Sequence, residues 1–132
     1  PHEWTYSIYP HKGDWTNGAF NEAEELNLPL DPAQCGPHKG TLPKSQSFLT
    51  LSGGNVQLTT FKQHEDREDS YTVRIFNPEA KTVTAKLTFA KPIKKAWLTN
   101  LNEERRKELK PTGKSLSIPL TKKKIATIEL TI

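Results

Sequence analysis

The chain has one cysteine, Cys35, and no methionine in 132 residues. A single thiol can neither close an intrachain disulfide nor build a multi-cysteine zinc site, so a reduced, cytoplasmic home is the expectation. Hydrophobic residues reach only 33%, against 26% charged. No apolar run approaches the ~18 residues of a membrane span, and no signal-peptide core precedes a small-residue cleavage site, so no membrane partner is expected. A reading frame ordinarily starts with Met, whereas this chain opens Pro1-His2-Glu3. That opening predicts a fragment of a longer chain or a processed product. At 14.9 kDa the chain is too short for two domains of ordinary size, and residues 1–132 read as a single domain with a real core.

The net charge of +4 is unevenly spread. From Lys91 to Lys124 there are eleven Lys or Arg against three Glu, and the remainder holds eight basic against twelve acidic residues. Such asymmetry can mark an anionic partner. The basic stretch lacks interleaved aromatics that would stack bases, with Trp97 alone there, so a solvated lysine face guarding strand edges is the reading and nucleic acid is not expected.

Residues 3–9 alternate Trp4, Tyr6 and Ile8 against Thr5, Ser7 and Tyr9, which predicts a strand closed by Pro10. His11-Lys12-Gly13 predicts a turn and Asp14 an N-cap, followed by a helix from about Trp15 to Leu26 with Phe20, Ala23 and Leu26 on one face. Pro29, Pro32, Pro37, Gly36 and Gly40 make residues 29–44 an irregular surface connection, long enough to suggest a specific docking role. The rest reads as strands: 46–51, a break at Gly53-Gly54, 55–63, a charged hairpin tip over 65–69, then 71–76. After the Asn77-Pro78-Glu79 turn, Val83, Ala85, Leu87 and Phe89 alternate with Thr82, Thr84, Lys86 and Thr88. Further strands are expected over 93–98, around Leu116, Ile118 and Leu120, and along Ala126, Ile128, Leu130 and Ile132. Residues 102–109 read as a helical turn or a charged hairpin loop. The sum is a mainly β chain: an antiparallel β-sandwich with one short helix near the N-terminus.

Chemistry is sparse. Gly53-Gly54 lacks the Lys-Ser and helix of a phosphate loop. His2, His11, His38 and His64 are scattered, and His64-Glu65-Asp66, a bare His-x-Asp, sits on a hairpin tip where a metal site is not expected. Glu65, Asp66, Glu68 and Asp69 read as a solvated tip, and Cys35 lies beside Pro and Gly with nothing to activate it. Trp4, Tyr6, Tyr9 and Trp15 gather near the first strand, where surface aromatics can stack sugar rings or pack at a core or domain interface.

The stretch Glu3-Trp4-Thr5-Tyr6-Ser7-Ile8-Tyr9-Pro10-His11-Lys12-Gly13-Asp14-Trp15 resembles a hallmark of family 38 glycoside hydrolases, the retaining α-mannosidases, at the opening of the C-terminal β-domain of bacterial members. Asn27-Leu28-Pro29-Leu30 is similar to the family's helix exit, and Ser47-Phe48-Leu49 precedes Asn55-Val56-Gln57-Leu58-Thr59-Thr60-Phe61-Lys62, similar to another family run with Glu65-Asp66 following. Val73-Arg74-Ile75-Phe76-Asn77-Pro78 looks like the central strand and Ile125 to Leu130 like the closing one. The resemblance covers nearly the whole chain, and Pro-His-x-Gly-Asp-Trp is its most specific part.

The resemblance implies the non-catalytic C-terminal domain of a retaining α-mannosidase, supporting and partly walling the sugar site of an upstream catalytic domain. In such enzymes zinc and an aspartate nucleophile belong to that upstream domain. No residue here matches those motifs, so no catalytic residue, metal site or cofactor is assigned to this segment. The implied partners are the upstream domain and a mannoside. His11, Gly13, Asp14, Trp15 and Tyr9 are the candidates for a substrate-proximal or domain-interface role. The alternative is an independent carbohydrate-binding or protein-interaction sandwich.

Overall fold

Alternating apolar and polar residues become strands only where a neighbouring strand is available to pair with them. In a computed structural model, which describes residues 2–132 and leaves Pro1 outside them, the chain forms two units, Pro1–Leu42 and Pro43–Ile132.

The first unit contains one helix, α1 (Ala19–Asn27), with no buried residue. It starts four residues later than the predicted start at Trp15. Asp14 spends its side chain on a turn of its own, and Gly18 occupies the N-cap position without a side-chain bond. At the other end Leu28 N–H bonds back to Glu24 O at 2.8 Å, Asn27 Nδ2 donates to Ala23 O at 2.9 Å, and Pro29 cannot continue the ladder. The predicted strand over 3–9 does not form. Trp4, Tyr6 and Ile8 are 83%, 86% and 84% exposed, because this unit offers no second strand to complete a ladder. Residues 29–42 are irregular, in line with their prolines.

The second unit is a β-sandwich. Its strands are β1 (Leu49–Ser52), β2 (Gln57–Gln63), β3 (Tyr71–Phe76), β4 (Val83–Phe89), β5 (Lys95–Thr99), β6 (Arg105–Leu109), β7 (Ser115–Leu120) and β8 (Ile125–Thr131). A three-stranded sheet runs β1-β4-β7 and a five-stranded sheet runs β2-β3-β8-β5-β6, with every strand pair antiparallel. The strand-rich pattern and single helix agree with the sequence-based fold class.

The inner faces carry Ala85, Leu87 and Phe89 from β4, Leu116, Ile118 and Leu120 from β7, Val73 and Ile75 from β3, and Ile128 and Leu130 from β8. Strand β8 is buried on both faces from Ala126 to Leu130, as suits the middle of the larger sheet. Between the sheets Asn77, fully buried, donates through Nδ2 to Lys81 O, Leu120 O and Thr121 O at 2.9, 3.2 and 2.9 Å, while its Oδ1 accepts Glu79 N–H at 3.0 Å. One amide thereby ties the β3–β4 turn to the β7–β8 turn. Gly53, at φ +100°, lies so close to β4 that a Cβ there would meet Thr84 O at 2.0 Å.

Residues 102–109 differ from their expected helical turn or loop. Asn100 closes a tight tip, accepting Glu103 N–H on its carbonyl at 3.1 Å and Glu104 N–H on Oδ1 at 2.9 Å, and Arg105–Leu109 then pairs with β5 as an edge strand. The expected strand over 46–51 begins at Leu49, and the one over 55–63 begins at Gln57. A bulge between Leu58 and Thr60 shifts its register against β3.

Candidate functional site

The residues that the sequence singled out share one turn of the first unit. Asp14 Oδ1 accepts Thr16 N–H at 2.9 Å and Thr16 Oγ1–H at 2.5 Å, and Asp14 O accepts Asn17 N–H at 3.0 Å. Asp14 therefore caps this turn and not α1, a correction to the N-cap expected of it. The Thr16 hydroxyl bond, then the Thr16 backbone bond, hold its carboxyl below the ordinary carboxylate range, with a smaller lowering from neighbouring His11. Asn17 Nδ2 closes the turn onto Lys12 O at 2.6 Å, and Gly13 takes a positive φ (+85°), which glycine adopts at no steric cost.

The aromatics divide into two pairs. Tyr9 stacks on His11 with ring centroids 5.5 Å apart and planes 18° apart. Trp15 meets Phe20 of α1 edge-on at 5.3 Å. Tyr9 and Trp15 stay about half-exposed and His11 is exposed. The turn thus offers an imidazole lying on a phenol ring, an ionised carboxylate and an indole edge, within seven residues from Tyr9 to Trp15. These groups are suited to hydrogen bonding and stacking against a polyhydroxylated ligand or a polar interface.

The second unit holds a polar cluster that sequence reasoning missed. Glu129 on β8 is 0% exposed although it lies on the outer face of the larger sheet, beside Thr72 of β3 and Trp97 of β5. Arg105 donates to it through Nε at 2.8 Å and Nη2 at 2.6 Å, and Arg67 through Nη1 at 3.2 Å. The Arg105 guanidinium lies 3.6 Å from the Trp97 ring centroid. Burial pushes the Glu129 carboxyl up, but the Arg105 bond, a Ser70 hydrogen bond and the two positive charges together hold it below its ordinary value.

Next to it, His64 is buried, unlike its solvated neighbours Glu65, Asp66, Glu68 and Asp69. Its Nδ1 accepts Asp66 N–H at 3.1 Å, and its Nε2 lies 2.6 Å from Arg67 Nη1. Glu103 completes the cluster, pairing with Lys62 at 3.1 Å and accepting Thr72 Oγ1–H at 3.0 Å. The cluster clamps the 64–70 and 100–104 tips onto the sheet. The one signal in the sequence was a lone carboxylate inside a strand otherwise made of Ala, Thr, Ile and Leu. Among the described residues, no group of three or more His, Cys, Asp or Glu comes together as a metal site. Within this cluster His64, Glu103 and Glu129 are each engaged in an ion pair or a hydrogen bond.

Comparison with known proteins adds the following. Residues 55–128 match the model of the glycosyl hydrolases family 38 C-terminal beta sandwich domain, which spans β2 through most of β8. The chain is 32% identical over 116 residues to mouse alpha-mannosidase 2C1, covering 85% of this chain and 10% of that protein. With the human alpha-mannosidase 2C1 it shares 34% identity over 107 residues, covering 77% of this chain and 10% of the relative. The chain therefore spans about a tenth of the length of these relatives. No solved structure matches it significantly.

Proposed function

Since the chain belongs to the glycosyl hydrolase family 38 C-terminal β-sandwich domains, we propose that it is the non-catalytic C-terminal domain of a retaining α-mannosidase, which supports and partly walls the sugar site of an upstream zinc-dependent catalytic domain. The observation that carries this reading is the family match over residues 55–128, laid on a sandwich whose buried carboxylate is wholly engaged by arginines. Retaining hydrolysis uses two carboxyl groups about 5–5.5 Å apart across the scissile bond, one as nucleophile and one as acid and base. Glu129 is buried under its arginines and the tip carboxylates are solvated; in this reading the chemistry belongs to the upstream domain, whose zinc would grip sugar hydroxyls. The exposed free thiol of Cys35 suits a reducing compartment, and a cytoplasmic parent enzyme is part of the proposal. Among the described residues no helix is long and apolar enough to cross a membrane.

In this reading the His11–Trp15 turn faces the sugar site. Gly13 permits the turn, Asp14 and Asn17 hold it, and His11 and Trp15 present the polar and aromatic contacts that sugars take. Two measurements test it. The purified 132-residue chain should leave an aryl α-mannoside uncleaved with zinc added; zinc-dependent turnover above a buffer blank refutes a non-catalytic domain. In the parent enzyme His11→Ala should lower kcat/KM at unchanged melting temperature. Unchanged activity with lowered stability would reduce the turn to scaffolding.

A further inference from the structure

Three strands cannot cover five. The smaller sheet ends at β7 and the larger one continues through β5 to β6, so inner-face side chains there lack a facing strand. Leu98 and Leu109 are accordingly only half-buried at the margin of the core. The result is a cleft of ≈ 540 Å³ between β7 and the inner face of β8, β5 and β6. Leu98, Leu109, Ile118 and Leu120 contribute its apolar wall, and Lys107 and Lys124 stand in its lining. Among the described residues neither lysine side chain has an ion-pair partner.

We propose that this cleft is a docking groove for a segment of the parent polypeptide outside residues 1–132, one that presents branched aliphatic side chains beside a carboxylate. The proposal rests on the reading of the chain as one domain of a longer enzyme, and on three observations. The relatives are about ten times longer than the matched segment, so nine-tenths of their length lies outside it and can supply such a segment. Charge favours an acidic occupant: Pro43–Ile132 carries seventeen Lys or Arg against nine Asp or Glu, a net +8, and two of the uncompensated lysines line the cleft. The walls are aliphatic, with no aromatic ring among the lining residues, which suits Leu-, Ile- or Val-type side chains better than sugar faces.

The free edge of β7 constrains how the occupant enters. Ser115 exchanges both of its backbone bonds with Thr112, at 2.8 and 3.0 Å, so its backbone groups point away from β4. Residues of the same parity, Ser117 and Pro119, point the same way, and Pro119 has no N–H to offer. A fourth strand would therefore gain almost no ladder along this edge. The groove takes side chains, held by apolar burial and lysine–carboxylate pairing.

The test uses the intact parent polypeptide, mixed from ordinary and isotope-labelled preparations and treated with a zero-length carbodiimide coupler. Amide links are expected from Lys107 or Lys124 to Asp or Glu residues outside 1–132 of the same copy. Lys107→Glu/Lys124→Glu should lose those links and lower the melting temperature by several degrees, whereas the control Lys86→Glu/Lys114→Glu, away from the cleft, should do neither. Links joining differently labelled copies would put a second copy in the groove and overturn the proposal. Absence of links, or links with no change in melting, would overturn it equally. Neither readout is activity, so the outcome stands apart from whether His11 serves the sugar site.

Discussion

Replacing Glu129 by Gln keeps the volume of a wholly buried side chain and removes its charge, which makes Glu129→Gln a direct measure of the Arg67–Glu129–Arg105 clamp. Breaking a fully buried ion pair costs about 3–5 kcal/mol. Here the penalty is smaller, because the side chains of Arg67 and Arg105 are 38% and 37% exposed and regain water when released. The amide oxygen still accepts one of the arginine bonds, and Arg105 keeps its stack on Trp97. The net loss is about 2 kcal/mol, a fall in melting temperature of roughly 8–16 °C for a unit of this size. The pH dependence has a definite sign. The folded carboxyl titrates below its unfolded value of about 4.3, so its contribution is fully present above that pH and is lost as pH falls through the lower folded value. Thermal melts of both proteins at pH 7 and at descending pH should show a gap that closes on acidification. Equal melting temperatures at pH 7, or a gap unchanged down to pH 3, would refute an ionised, clamped Glu129.

Gly53→Ala should destabilise by more than about 2 kcal/mol, because the new Cβ meets the Thr84 carbonyl and a positive φ at once; urea unfolding checks it. Asn77→Leu should cost about 2 kcal/mol by removing the amide bonds that tie the two turns together, to Leu120 O, which is buried, and to the partly buried Lys81 O and Thr121 O, with the loss read in the same assay. The lysine-rich second unit should shift DNA in a gel only at low salt, and tight binding near physiological ionic strength would overturn the solvated-face reading.

The sandwich was legible in the sequence where one strand face is buried and the other wet. Val83–Phe89 alternates cleanly for that reason, and so the inward face of β4 was readable from its residues alone. Arg105–Leu109 was not, since Arg-Arg-Lys-Glu-Leu has no apolar alternation; it is a strand because the Asn100 tip delivers it to the edge of β5. Trp4, Tyr6 and Ile8 failed in the opposite direction, with strand-like alternation and no partner. Asp14 was read as a helix cap because its side chain fits that role, yet Thr16 lies two residues away and captures it first. The candidate turn was visible as a motif, whereas the Glu129 cluster draws its members from β8, β6 and two distant tips, a convergence that no local window contains.

The order of the larger sheet has a consequence for synthesis. Strand β8, last of the eight in chain order, sits between β3 and β5 and supplies the pairing that joins the β2–β3 hairpin to the β5–β6 hairpin. A nascent chain emerging from the ribosome can form both ribbons early, but each then exposes the edge with which β8 will pair. Closure waits on the arrival of Ile125–Thr131, and its long-range pairings make it the slow step. During that interval the two open edges are exposed to pairing with other nascent chains, so a ribosomal pause just before this segment is where aggregation during translation is to be expected.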